Sequence, residues 1–588
     1  MKKFKRIVVA IMALAMAATS LVACGKNNNS STNANNGKVI TLDVYSQRAN
    51  YQGIQTGWFG TLLKEKFNVE FNIIMETGNT YTTLVEQGDL GDIIVWGATG
   101  DNYFDAIEAG LLLDWNQDGI LTEYGPYVEQ NMAAALKHNA DISGGKVYGC
   151  ASGLATDSSN HDQFFYTWDL RFDIYNEIGC PEIKDLDGLV EVFKQMKAAH
   201  PTNENGDETY AVSIWPDWDG SMVMYPKALA TAYYGYDEFG IGLYNCETGE
   251  FYDCLDKEGP YVEMLRFFNT LYREGLLDPS SMTQDYDTAT AKVTAGRTFW
   301  SIFNYAGNLL YNTDENLKKG SAMLPVCPTE ASPCVYGLGV YGTSTMWSIG
   351  SKTEYPDVCM QIINWLSTPE GKIESDYGPQ GLMWDYDENG KTYFTELGKK
   401  CHMDINTVIE SDDEKYQAYV GYTFKEGQQQ HNFTTWASAA INPNSGEGYS
   451  CDFWASEQTI PEAGTIEAIW REWASKTTGK DDIITLDDYM EARGEDNYMV
   501  SLASTYVESK KDADFKVLWT QVTDKIVEGS WKAIYATSDA EFEKILQETI
   551  EAANSYGEGT GYQQCVEWCE KEAEARYAAE EAVRNAEK

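Results

Sequence analysis

The chain alternates between two kinds of apolar pattern. Val39 to Tyr45, Val69 to Ile74 and Asp92 to Trp96 are short β-rich runs, and amphipathic stretches at Phe59–Phe67 and Tyr81–Gln87 separate them. This β-α-β-α-β order predicts a parallel sheet. Farther on, Asp187 to Ala199 has Leu189, Val192, Phe193 and Met196 on one helical face. Val262–Glu274 and Ala289–Thr294 read as helices, and Phe299 to Phe303 reads as a strand. Met346 to Ile349 is another short strand, followed by the turn at Gly350-Ser351. Pro356 falls where a first helical turn tolerates it, and Val358, Ile362 and Leu366 share a face. Thr368-Pro369-Glu370 looks like the cap and first turn of a second helix. The C-terminal third is helical in spacing, through Trp519–Glu528, Trp531, Ser538–Ala552 and Gln563–Tyr577.

With 588 residues, the chain is long enough for two or more lobes. Its net charge of −46 argues against nucleic acid and against other polyanions as partners. The 17 Trp and 38 Tyr suit a neutral ligand with flat apolar faces.

The N-terminus carries its own pattern. Lys2, Lys3, Lys5 and Arg6 precede an apolar run, Ile7 to Ala18, that is short for a membrane span. Leu21-Val22-Ala23-Cys24-Gly25 resembles a bacterial lipobox. That resemblance implies a signal peptide over 1–23, with cleavage before Cys24 and acylation of its sulfur. Two acyl chains make a stable anchor. Removing the four basic residues leaves a charge of −50. Residues 24–38 are rich in Asn and Ser and read as a flexible tether.

The stretch from Met346 to Trp384 resembles one segment of the extracellular solute-binding proteins of ABC importers, family 1. The matching residues are Ser351-Lys352, Pro356-Asp357, Asn364-Trp365-Leu366 and Thr368-Pro369-Glu370-Gly371. Tyr377-Gly378-Pro379-Gln380-Gly381 resembles a turn of the large oligosaccharide-binding lipoprotein subfamily. Gln87-Gly88-Asp89-Leu90-Gly91-Asp92-Ile93 is similar to the turn before the third strand of that family, with Gly91 where a Pro is usual. The resemblance implies an α/β, two-lobed periplasmic-binding-protein-like (type II) fold with a hinge and a helical C-terminal region. The solute-binding body spans 39–588. One lobe takes roughly 39–160 and 330–430, and the other roughly 161–329 and 431–588.

Ligands in such sheets bind beyond the carboxyl ends of strands. Candidate contacts there are Arg48, Asn79 and Trp96. Trp215, Asp217 and Trp218 combine flat rings with a hydroxyl acceptor. The resemblance adds Trp300 and Tyr305, and Trp384 and Trp436 complete the set.

Asp385, Asp387, Asn389 and Glu396 fit the spacing of an EF-hand calcium loop, although Asn389-Gly390 is also a strong hairpin turn. Asn203 to Glu208 is a second acidic loop, similar in place to a calcium loop of alginate-binding relatives, with His200 and Thr202 where acids are wanted. Asp114 to Gly119 starts like a calcium loop but has Gly125 at the twelfth position. No other cofactor is expected. Besides Cys24 there are eleven cysteines, and Cys246/Cys254 or Cys327/Cys334 could bridge or remain free. Catalytic motifs are absent, and Gly337 to Gly342 matches G-x-G-x-x-G only as a β-turn region.

The reading is a lipid-anchored protein, not an enzyme, on the outer face of the cytoplasmic membrane of a Gram-positive bacterium. It would capture an oligosaccharide and deliver it, as a monomer, to an ABC permease. The alternative is a secreted glycoside hydrolase or lyase with a carboxylate pair in the same cleft.

Overall fold

The computed structural model describes residues 38–155, 161–455 and 464–586, apart from 482, 484, 495–496 and 504–505. Residues 1–37, which hold the expected signal peptide, Cys24 and nearly all of the expected tether, lie outside the described residues.

Six strands form the first sheet, in the order Gly53–Ile54, Val69–Met75, Ile40–Ser46, Ile93–Trp96, Met346–Ile349, Cys150–Ala151. Val44 pairs with Ile93 in parallel, as the β-α-β pattern requires. The sheet is nevertheless mixed. Met346–Ile349 runs antiparallel to Ile93–Trp96, and Gly53–Ile54 runs antiparallel to Val69–Met75. Ile93–Trp96 is buried along its whole length, which explains its unbroken apolar sequence.

The two faces of this sheet are covered differently. Tyr45, Ile94 and Trp96 pack with Tyr103 and Ala106 of the Asp101–Glu108 helix. Elsewhere Phe59 meets Phe71, Trp365 and His431. The helices after the fifth strand form where their proline and threonine signals fall, at Pro356–Ser367 and Pro369–Tyr377. The Thr368 hydroxyl accepts from the Gly371 N–H at 3.1 Å and caps the second. Gly371 is required there, because a Cβ would sit 1.8 Å from the Trp365 carbonyl oxygen.

A second, larger core lies around the strands Trp300–Phe303, Tyr166–Arg171 and Met323–Pro325, with the middle strand antiparallel to both neighbours. It draws in the Leu186–Ala199, Met224–Tyr234 and Pro260–Arg273 helices. The C-terminal Ala513–Ile534, Asp539–Asn554 and Gly561–Ala586 helices close over it. Cys334–Tyr336 and Met499–Ser501 pair in parallel beside it. Arg576 of the last helix binds Asp237 at 2.6 Å and Glu580 at 2.8 Å, with all three buried. An ion pair that deep needs its hydrogen bonds filled, and Ser501 supplies one to Asp237 at 2.8 Å.

Residues 431–454 do not follow the second core. His431 lies against Phe59, Phe71 and Trp347, and the Trp436 indole N–H donates to the Ser367 carbonyl at 2.7 Å.

The remaining eleven cysteines are free thiols, and neither Cys246/Cys254 nor Cys327/Cys334 bridges. Ten are buried, where a reduced cysteine packs as a small apolar side chain. No helix among the described residues is long and apolar enough to cross a membrane.

Candidate ligand-binding site

Among the half-exposed aromatic groups on the second core, one gathers around Trp218. Trp218 and Tyr286 have ring centroids 4.8 Å apart, and Tyr305 lies 6.1 Å from Trp218 and 6.5 Å from Tyr286. Phe165 lies 6.1 Å from Tyr305. Trp218, Tyr286 and Tyr305 are half-buried, and Phe165 is 42% exposed. Behind them, a buried layer of Trp215, Tyr225 and Phe303 holds the rings in place. Half-exposed rings on a packed base offer rigid apolar faces with polar edges.

Local hydrogen bonds fix this cluster. The Trp215–Asp219 loop is pinned at its far end by Asp219, which accepts from the Met224 N–H at 3.0 Å and the Trp531 indole N–H at 2.7 Å. Burial pushes the Asp219 carboxyl up to about 6. At the near end, the Gln284 amide donates to the Ile214 carbonyl at 2.7 Å. Gln284 is held in turn by Lys292, whose ammonium donates to it at 2.6 Å and also binds Asp278. Asp217 accepts from the Tyr286 N–H at 2.9 Å, tying loop to helix. Tyr305 sits on a turn closed by Asp169, which accepts from the Asn308 N–H at 2.7 Å. Burial raises the Asp169 carboxyl to about 7. Gly307 leaves room for that contact, since a Cβ there would meet Asp169 Oδ2 at 2.5 Å.

On the first sheet, Arg48 follows the strand Ile40–Ser46. Its Nε donates to the Asn432 carbonyl at 3.3 Å, and the Asn432 amide donates back at 2.7 Å. Arg48 is exposed to solvent, yet desolvation by the surrounding protein lowers its pKa, as suits a recessed position. The neighbouring Gln47 accepts from the Gly97 N–H at 2.9 Å, bracing the loops at the ends of two strands. Asn79 is exposed before the Thr80–Gln87 helix, and its carbonyl accepts from the Thr83 N–H.

Of the ten candidate contacts, Trp215, Asp217, Trp218 and Tyr305 come together. Four of the others are buried away from this cluster. Trp96 is fully buried and donates to Ser348 Oγ at 2.9 Å. Trp300 packs among Trp168, Phe193 and Phe267. Trp384 is buried and donates to the Gly378 carbonyl at 2.8 Å. Trp436 is buried and stacks on Tyr449. An indole at a strand end packs inward as readily as outward, so sequence spacing could not separate these cases. Sequence reasoning missed Phe165 and Tyr286. Phe165 stands next to buried Phe164 in an aromatic run, where alternation puts one ring outside. Tyr286 follows the capping residue Asp285, and no periodicity marks it.

Asp385 to Glu396, which has the spacing of a calcium loop, folds as a hairpin followed by a helix. Trp384–Tyr386 and Thr392–Phe394 form an antiparallel hairpin, so a strand rather than a helix leads into the loop. Asp387 accepts from the Asn389 and Lys391 N–H groups at 2.7 and 2.8 Å. Glu396 opens the Glu396–Met403 helix and pairs with Lys399. The Asn203–Glu208 loop is tied to protein cations, with Lys319 on Glu204 at 3.2 Å and Lys197 on Glu208 at 3.1 Å. Among the described residues, no group of three or more His, Cys, Asp or Glu side chains could hold a metal ion.

No protein-family model matches the chain, and no curated protein matches it in sequence. Solved structures do match. The alginate-binding protein AlgQ2, in a structure without calcium ion, aligns with a TM-score of 0.56 at 14% identity, over 91% of this chain and 98% of that one. FusA of Streptococcus pneumoniae, an ABC-transporter substrate-binding protein in complex with kestose, aligns with a TM-score of 0.53 at 15% identity, over 90% and 99%. A solute-binding protein of Bifidobacterium longum infantis, associated with an ABC transporter that binds HMO, aligns with a TM-score of 0.52 at 14% identity, over 92% and 99%. The chain therefore has the two-lobed α/β fold of these ABC-transporter solute-binding proteins, built along nearly its whole length.

Proposed function

We propose that this chain captures an oligosaccharide in the cleft between its lobes and delivers it, unaltered, to the permease of an ABC transporter. The observation that carries this reading is the half-exposed cluster of Trp218, Tyr286, Tyr305 and Phe165 on its buried aromatic base. Rings of this kind stack on the C–H faces of sugars, and Asp217 beside them accepts hydroxyl protons. Arg48 and Asn79 would meet the ligand from the other lobe. In this reading, one lobe is built on the six-stranded sheet and keeps residues 431–454, and the other is built on the second core. Closure of the two around the ligand is the state the permease recognises.

The segment before Cys24 acts as a signal peptide, and lipid on Cys24 holds the protein at the outer face of the cytoplasmic membrane. The bacterium is Gram-positive, and the protein works as a monomer. No metal takes part in capture. Specificity comes from stacking and side-chain hydrogen bonds, and no bond in the sugar is made or broken.

The test is calorimetric titration of residues 39–588 with a panel of neutral and charged oligosaccharides, followed by chromatography of each mixture. Micromolar or tighter binding with the sugar recovered intact is the expected result. Shortened sugars would overturn the transport reading in favour of a hydrolase.

A further inference from the structure

Among the described residues, ion pairs join the first sheet's side to the C-terminal helices at one place. The Asp101–Glu108 helix belongs to the core of the six-stranded sheet, through Tyr103 and Ala106. Its exposed side presents Asp101, Asp105 and Glu108 to a short basic segment before and within the Ala513–Ile534 helix. Lys510 lies 3.0 Å from Asp105 and 2.7 Å from Glu108. Lys516 lies 2.5 Å from Asp105 and 3.7 Å from Asp101. The Lys511 N–H donates to Asp101 at 3.2 Å.

The basic segment is fastened to the other lobe. Lys511 places its ammonium 3.7 Å over the Trp568 ring and 4.4 Å over Trp519, a doubly desolvated cation–π contact. Glu572 of the last helix accepts from the Ser509 N–H at 2.7 Å and from the Tyr506 hydroxyl. Trp568 and Glu572 lie on the Gly561–Ala586 helix, and the Leu518 side of the Ala513–Ile534 helix lies in the second core. The lysines therefore cannot move with the Asp101–Glu108 helix if the lobes separate.

We propose that Lys510 and Lys516, set against Asp101, Asp105 and Glu108, form an ionic clasp that biases the lobes toward the closed state. A single exposed ion pair contributes little, but here four contacts share two cations between three carboxylates across one boundary. Burial would raise the Asp105 carboxyl, and the hydrogen bonds from Lys516 and Lys510 more than reverse this. The clasp also runs against the composition, since three lysines within seven residues face a chain of net charge −46. Salt weakens partly exposed pairs of this kind, so the openness of the cleft depends on ionic strength. Open and closed states of such proteins differ little in free energy, so a small bias shifts their populations. The clasp depends on the two-lobed fold and not on the identity of the ligand.

The test reads lobe separation directly. Dyes are attached to noncanonical amino acids at Gln130 and Lys544 of the full chain, with a second pair at Glu123 and Lys257, which avoids the cysteines. The ligand-free protein should show a longer inter-dye distance in molar salt than in low salt. D105K and K516E should each show the long distance already in low salt, and the D105K/K516E swap should return toward the parent. With a bound sugar, each single variant should weaken affinity roughly fivefold, the lower range of a coupling between sites. A distance that ignores both salt and charge reversal in both dye pairs would overturn the clasp. A salt-dependent distance without sugar binding would leave the clasp standing and remove the sugar reading.

Discussion

The ring of Trp218 lies 4.8 Å from that of Tyr286 at an interplanar angle of 36°, and the Asp217 carboxylate beside Trp218 accepts the backbone N–H of Tyr286. One hydrogen bond thus fixes the loop that carries one ring to the helix that carries the other. W218A should weaken oligosaccharide binding by about 1–2 kcal/mol, roughly five- to thirtyfold in Kd. Because Trp218 is only half-buried, Tm should change little. Calorimetry and a melting curve on the same preparation check both halves, and unchanged affinity would move the site elsewhere.

Trp300 gives the contrasting case. It is buried among Trp168, Phe193 and Phe267, away from solvent. W300A should cost about 3–5 kcal/mol of stability through the cavity it leaves. The milder W300F should retain ligand affinity while lowering the urea midpoint. If W300F loses affinity at unchanged stability, Trp300 belongs to the site after all.

His431 sets a pH dependence. It is wholly buried in an aromatic cage, and desolvation pushes its imidazole down from 6.5 to about 3. The unfolded chain protonates this group near its ordinary value, so it binds the extra proton between those limits. Stability from this residue is therefore present above pH 6.5 and is lost as pH falls toward 3. H431F keeps a ring in the cage and removes the proton uptake. Relative to the parent, its Tm should rise progressively below pH 6.5, and a parallel pair of Tm–pH curves would contradict the assignment.

Arg576 anchors the last helix through Asp237 and Glu580, both buried. R576M leaves buried Asp237 without its cation and Glu580 with only Arg584 at 3.2 Å, which should cost about 3–5 kcal/mol. Urea unfolding measures this, and a loss below 1 kcal/mol would mean that the two carboxylates find other partners.

The Asp387 turn closes a hairpin through backbone donors, which already occupy its carboxylate. Millimolar calcium should leave Tm unchanged, and D387A should cost about 1 kcal/mol with or without calcium. A calcium-induced rise in Tm that D387A abolishes would restore the metal loop.

The elements of this fold were written locally. Period-two and period-3.6 patterns, together with Pro356, Thr368 and Pro369, placed the strand at Met346–Ile349 and the two helices after it. The resemblance of that segment pointed to the two-lobed architecture, because its turn and cap residues answer to backbone geometry that neighbours in sequence can supply. The direction of that strand was not legible. Its antiparallel pairing with Ile93–Trp96 joins residues some 250 positions apart, and nothing local encodes which edge it meets.

The sequence by itself determined the helices, most strands, the charge balance and the aromatic richness from which a sugar site can be built. Only the tertiary structure decided which aromatic residues form the cluster. Trp218 and Trp300 look alike in sequence, each beside a β-rich run, but one is half-exposed over a packed base and the other fills a core. The same holds for Asp385 to Glu396, where spacing alone did not show that Asp387 faces backbone donors and that Glu396 opens a helix beside Lys399. Burial and partner choice depend on segments distant in sequence, and the local pattern therefore leaves them open.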